Sequence, residues 1–72
     1  MNNADKLIDD IIRLRKEKKV TQQQLSTLTG IKQPVIARLE RKKTDPHLST
    51  IIKILYCLEA KLIIDDMYED EN

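Results

Sequence analysis

Apolar residues recur along this chain at helical spacing in four separate runs. Leu7, Ile8, Ile11, Ile12 and Leu14 form the first, and their period predicts a helix of about 12 residues ending near Glu17. Asn2, Asn3 or Asp5 can cap its start, and Lys16, Lys18 and Lys19 close it. Thr21 and Gln24 then stand at capping-box spacing, while Val20 and Leu25 sit where a hydrophobic staple would close. A second helix therefore opens at Thr21 and runs to about Thr29, because Gly30 supplies the left-handed residue that commonly ends a helix. Ile31, Val35, Ile36 and Leu39 continue the apolar pattern into a third short helix. It frays into the polar run from Arg41 to Asp45 before Pro46, with no glycine to close it. Leu48, Ile51, Ile52, Ile54, Leu55 and Leu58 predict a fourth helix, with Ser49 or Thr50 as caps. It is apolar almost all round and must be covered on more than one face.

The pattern changes at Ala60. Lys61 to Ile64 is a short β-branched run bounded by Asp65 and Asp66, which predicts a strand from Ala60 to about Asp66. A lone strand needs a partner, and the same strand of a second copy is the simplest one. The expected organisation is an all-α bundle of four to five short helices over residues 1–59, a dimerising strand over 60–67 contributing Leu62, Ile63 and Ile64, and an acidic tail over 68–72.

Composition narrows the class. The 72 residues hold one domain whose core is only just large enough, so a partner chain that adds apolar contact matters. With 40% hydrophobic, 35% charged and 3% aromatic residues, the chain reads as Leu/Ile-packed helices, not as a β-sandwich or a disordered tail. A single cysteine cannot form an internal disulfide, and neither a signal peptide nor a membrane-spanning run is visible, so a cytoplasmic setting is expected.

The net charge of +1 hides an asymmetry. From Arg13 to Lys43, ten basic residues against two acidic ones leave +8, whereas the chain from Pro46 onward carries −4. The basic middle suits a polyanion and the acidic end does not.

Two short helices joined by a tight turn at Gly30 and sharing one core are what a helix-turn-helix requires. Leu25 and Leu28 are expected to face inward from the first helix, Ile31 to fill the turn, and Val35, Ile36 and Leu39 to face inward from the second. Ser26 is small where the helices cross.

The stretch from Ile12 to Leu58 resembles the Cro/C1 or Xre family of phage-repressor-like DNA-binding domains. The residues that carry the likeness are Leu14-Arg15, Thr21-Gln22, Leu25, Gly30-Ile31, Ile36, Leu39-Glu40, Pro46, Leu48 and Thr50-Ile51. Within that family, Gly30-Ile31-Lys32-Gln33, Ile54-Leu55, Leu58-Glu59 and the apolar run after them look most like antitoxins of the HipB and HigA kind. In the HipB type a strand at this place belongs to the dimer.

The resemblance implies residue roles. The recognition helix, about 32–41, would meet base edges through Gln33, Pro34, Ala37 and Arg38. Glutamine can bond adenine at N6 and N7 together, arginine can bond guanine at O6 and N7, and Pro34 and Ala37 offer only apolar contact to a thymine methyl. Gln22, at the start of the preceding helix, would grip a phosphate. Gln23, Lys32, Arg41, Lys42 and Lys43 are further phosphate candidates. Arg15 and Glu40 match a partly buried ion pair of the family and are assigned to structure. Three positions depart from the pattern: Lys42 and Glu59 stand where relatives often have glycine, and Lys32 replaces a capping Ser or Thr.

No nucleophile stands with a base. His47 follows Pro46 at a loop edge and reads as a surface or helix-start residue, while Cys57 reads as a small core hydrophobe. Neither a phosphate loop nor a metal-ligand cluster is present, so no enzyme, cofactor or metal is expected. The expected function is a homodimeric transcriptional repressor on a palindromic operator. The rival is an antitoxin that holds a toxin protein inactive and autoregulates its operon; a fold-only adaptor without DNA affinity is the third reading.

Overall fold

Each helix starts where the local chemistry supplies an entry. The computed structural model describes residues 3–64, with α1 at Asn3–Glu17, α2 at Gln22–Thr29, α3 at Gln33–Glu40 and α4 at Leu48–Cys57. Thr21 opens α2 with a complete capping box: its Oγ1 accepts the Gln24 N–H at 3.0 Å, and Gln24 Oε1 accepts the Thr21 N–H at 2.9 Å. Lys32 precedes α3 in an extended conformation without a side-chain cap. Pro34 follows in the first turn, where an amide N–H has no helical partner to lose. α4 is entered from His47, so Ser49 and Thr50 lie inside the helix and do not cap it.

Three of the four helix ends share one geometry. Behind α1, Val20 N–H bonds to Arg15 C=O and Lys19 N–H to Lys16 C=O. Behind α3, Lys43 bonds to Arg38 and Lys42 to Leu39; behind α4, Ala60 bonds to Leu55 and Glu59 to Tyr56. These are three Schellman motifs, and each turns on a left-handed residue that is not glycine: Lys19, Lys42 and Glu59, with φ of 59, 60 and 59°. Gly30, with φ 77°, ends α2. The two sites where a glycine is missing by comparison with the family, Lys42 and Glu59, thus adopt the conformation glycine favours.

The core draws on every helix. Ile8 and Ile11 of α1, Leu25 of α2, Ile36 and Leu39 of α3, and Ile51, Ile54 and Leu55 of α4 with Leu58 behind it are buried together. α2 packs on α3 and on α4, and α1 packs on α3. Leu28 and Val35, expected inside, are not: they are 58% and 44% exposed. In helices of eight residues each, Leu25 with Thr29 and Ile36 with Leu39 already form the inward faces, leaving Leu28 and Val35 beyond the margin.

The strand expected over Ala60 to Asp66 is corrected by the structure. Lys61–Ile64 take part in no strand, and Ala60 donates its N–H to Leu55, closing α4 instead of opening a ladder. The described residues contain no second extended segment to pair with, so their fold is all-α with four helices. Asp65, Asp66, Met67 and the acidic tail lie outside the described residues.

Candidate nucleic-acid interface

The turn between α2 and α3 spans only Gly30, Ile31 and Lys32, so its backbone must be satisfied locally. Buried Thr29 donates from Oγ1 to Leu25 C=O at 2.7 Å and accepts the Ile31 N–H at 3.1 Å. Ser26 Oγ donates to the Ile31 carbonyl. Both polar groups of Ile31 are thereby occupied, and the two helices hold a fixed angle. From sequence, Ser26 is only a small residue at the crossing. Thr29 is, from sequence, only the end of α2.

From the interior outward, a chain of polar contacts leads to the start of α3. Arg15 and Glu40 lie at its base with 10% and 7% of their side chains exposed. Arg15 Nε donates to Glu40 Oε2 at 2.7 Å, Nη2 to Oε1 at 2.9 Å, and Nη1 to Val20 C=O at 2.8 Å. The fork geometry and the third acceptor offset the cost of removing two charges from water. Gln22 Nε2 donates to Glu40 Oε1 at 2.9 Å, and Gln22 Oε1 accepts from Gln33 Nε2 at 3.0 Å. The first residues of α2 and α3 are therefore in contact. The N–H groups of Gln22 and Gln23 lie in the first turn of α2, where helix geometry gives them no internal acceptor, so they can serve an anion there.

On α3 itself, Gln33, Pro34 and Arg38 are exposed and Ala37 is half-buried. Gln23, Lys32, Arg41 and Lys43 are also exposed, and among the described residues Lys32, Arg38, Arg41 and Lys43 form no ion pair. Lys42 is placed differently: its Nζ lies 2.8 Å from Asp9 Oδ1 on α1. The hydrogen bond to Asp9 holds its ammonium above the usual lysine range, against a smaller opposing effect of desolvation, and the charges of Asp9 and Asp5 add to the rise. Lys42 thus ties the end of α3 back to α1.

Two features of this face were not read from the sequence. Val35 stands outside the core beside Pro34, and Asp9 engages one of the cations. The first signal was within reach, because Val35 lies ~100° around the helix from Ile36 and ~140° from Glu40 at ~100° per residue. The second had none, since Asp9 and Lys42 are brought together only by the packing of α1 on α3.

Away from α3, Ile52, Tyr56, Leu62, Ile63 and Ile64 are all exposed along α4 and the segment after it. No group of His, Cys, Asp or Glu among the described residues is arranged to hold a metal, and no helix there is long and apolar enough to cross a membrane. Cys57 Sγ approaches the Leu28 carbonyl at 3.6 Å.

Two short helices locked by a three-residue turn, with the second turning a cationic, amide-bearing face outward, define a helix-turn-helix domain. Residues 11–58 match the model of the helix-turn-helix family of Cro/C1 type, and the chain belongs to that family. It is 45% identical over 58 residues to an HTH-type transcriptional regulator of Haemophilus influenzae, covering 81% of this chain and 59% of that one. It is 34% identical over 59 residues to antitoxin HigA1 of Mycobacterium tuberculosis, covering 82% of this chain and 40% of the antitoxin. The chain therefore spans about two fifths to three fifths of the length of these relatives. A solved structure of a toxin-antitoxin module from Streptococcus pneumoniae superposes with a TM-score of 0.70 at 38% identity, covering 85% of this chain and 68% of that one.

Proposed function

We propose that this protein is a sequence-specific DNA-binding transcriptional repressor that acts as a homodimer on a palindromic operator. The observation that carries the reading is the outward face of α3, where Gln33 and Arg38 stand exposed while Gln22, Glu40 and Arg15 brace the helix from behind. In this reading Gln33, Pro34, Ala37 and Arg38 meet bases. Gln22, Gln23, Lys32, Arg41 and Lys43 hold phosphates, and Lys42 does so only by leaving Asp9. The exposed apolar residues of α4, with Leu62, Ile63 and Ile64, supply the contact between copies. Two recognition helices would then enter successive major grooves about 34–36 Å apart.

The test is selection of bound duplexes from a random pool with the full chain, followed by footprinting and light scattering. An enriched inverted repeat with half-sites one turn apart, bound by two copies, is expected. Enrichment of no sequence, or retention on duplex DNA that is insensitive to Gln33→Ala and Arg38→Ala, would overturn the reading.

A second reading is that the chain is an antitoxin that binds a toxin protein and autoregulates its operon, in a cytoplasmic setting. The likeness to HigA1 and to a toxin-antitoxin module favours it, and it retains the same DNA face. Co-expression with the product of the adjacent gene tests it: a stable complex and relief of growth arrest are expected, and an unaffected toxic product would reject it.

A further inference from the structure

We infer that Val35 is a specificity-determining residue that packs against the 5-methyl group of a pyrimidine in the major groove, beside the guanine that Arg38 is placed to bond. The inference rests on the DNA-reading role proposed above and deepens it.

Val35 is 44% exposed, while Ile36 and Leu39 on the same helix are 0% and 2% exposed. It adjoins exposed Pro34. Together they form an apolar surface in the first turn of a helix whose other outward positions are polar or cationic. Neither side chain can hydrogen-bond a base edge. In the major groove of duplex DNA the apolar feature available to them is the C5-methyl of a pyrimidine. Val is also suited to that contact, because its β-branch restricts χ1 and presents two methyl groups without much rotamer freedom to lose.

The spacing fits. Residues three apart on a helix are surface neighbours, with Cβ atoms about 5–6 Å from each other. Their ~4.5 Å rise along the axis is close to the spacing of about 3.4 Å between successive bases on one strand. A helix seated with Arg38 on guanine O6 and N7 therefore brings Val35 over the neighbouring base. Pro34, four residues before Arg38, flanks the same position. Thymine and 5-methylcytosine present the same methyl group there, and the experiment separates them.

With the full chain and the selected operator, each thymine is replaced in turn by deoxyuridine, which removes only the methyl, and each cytosine by 5-methylcytosine, which adds it. One thymine-to-uracil exchange, next to the guanine whose preference is lost in Arg38→Ala, is expected to weaken binding about fourfold per half-site. Val35→Ser should bind thymine and uracil operators alike, with unchanged melting and unchanged affinity for random duplex. Val35→Ala gives the same readout if the serine variant melts lower. A preference for thymine over 5-methylcytosine at that position identifies thymine as the source, and the reverse identifies a methylated site; both support the contact. A uracil penalty that survives in the Val35 variants, or an operator indifferent to every methyl exchange, overturns it. Failure to enrich any sequence would instead remove the DNA-reading role on which it stands.

Discussion

Gln33 donates its side-chain amide to Gln22 across 3.0 Å, joining the first residue of the recognition helix to the first residue of the helix behind it. If the Gln33 amide meets a base as proposed, it is aimed before DNA arrives, and less side-chain freedom has to be frozen on binding. Gln22→Ala should lower operator affinity about fivefold, roughly the net value of one hydrogen bond. Random duplex should be affected less, because the brace serves geometry more than charge. Fluorescence anisotropy with operator and random duplex measures both; equal losses on the two would show Gln22 to be a phosphate contact only.

The ion pair behind Gln22 is a matter of stability. Glu40→Ala would leave the Arg15 guanidinium, 10% exposed, without its carboxylate. Such a loss costs about 3–5 kcal/mol, against a total of roughly 4–11 kcal/mol for a chain of this length. Thermal unfolding by circular dichroism should show a Tm lower by about 12–40 °C. A variant that melts like the parent would mean that water, not burial, surrounds the pair.

Lys42 gives a prediction in pH and in salt. Its folded pKa is raised above the ordinary lysine value through Asp9, so from neutrality up to that ordinary value the contact favours folding. That contribution is lost as pH rises through the folded value. Asp9→Asn should therefore melt lower than the parent near neutrality, with the difference closing in strong alkali. The same variant frees a cation at the end of α3. If Lys42 then reaches phosphate, operator binding should strengthen and its salt slope steepen by about 0.9; an unchanged slope places Lys42 off the DNA.

The left-handed helix ends allow stabilisation by a single residue. Glu59→Gly removes the strain of a non-glycine residue at φ 59°, worth about 1–2 kcal/mol, and gives back about 0.4–1 kcal/mol through the unfolded chain. Its contact with Lys18, 3.6 Å long with the Glu59 side chain 85% exposed, holds little. A rise in Tm of about 2–6 °C is expected. Gly30→Ala should move the other way by about 1–2 kcal/mol, from backbone conformation alone, since a Cβ there meets nothing within 4 Å. Equal Tm values across the series would contradict the strain.

What could be read from the sequence was whatever is encoded locally. The capping box at Thr21, the stop at Gly30 and the period of Ile8, Ile11, Leu25, Ile36 and Leu39 involve residues within one or two turns of each other, so helix count and register were visible. Lys61–Ile64 misled because β-branched composition states a preference for strand without supplying a partner, and in this chain Ala60 is already bonded back to Leu55. Leu28 and Val35 lie outside because hydrophobicity alone does not set direction; the inward face of an eight-residue helix is narrower than its apolar content. The polar chain from Arg15 to Gln33 was half legible. The family pattern pointed to Arg15 and Glu40, but Gln22 bonding both Glu40 and Gln33 depends on the crossing of three helices, which no local spacing encodes.

The bends at Lys19, Lys42 and Glu59 also bear on which side chains the chain can carry there. A positive φ is a genuine outlier for a β-branched residue, whose two substituents on Cβ crowd the backbone more than the unbranched stems of Lys and Glu do. Drift at these three positions is therefore expected to run toward glycine and asparagine and away from valine and isoleucine.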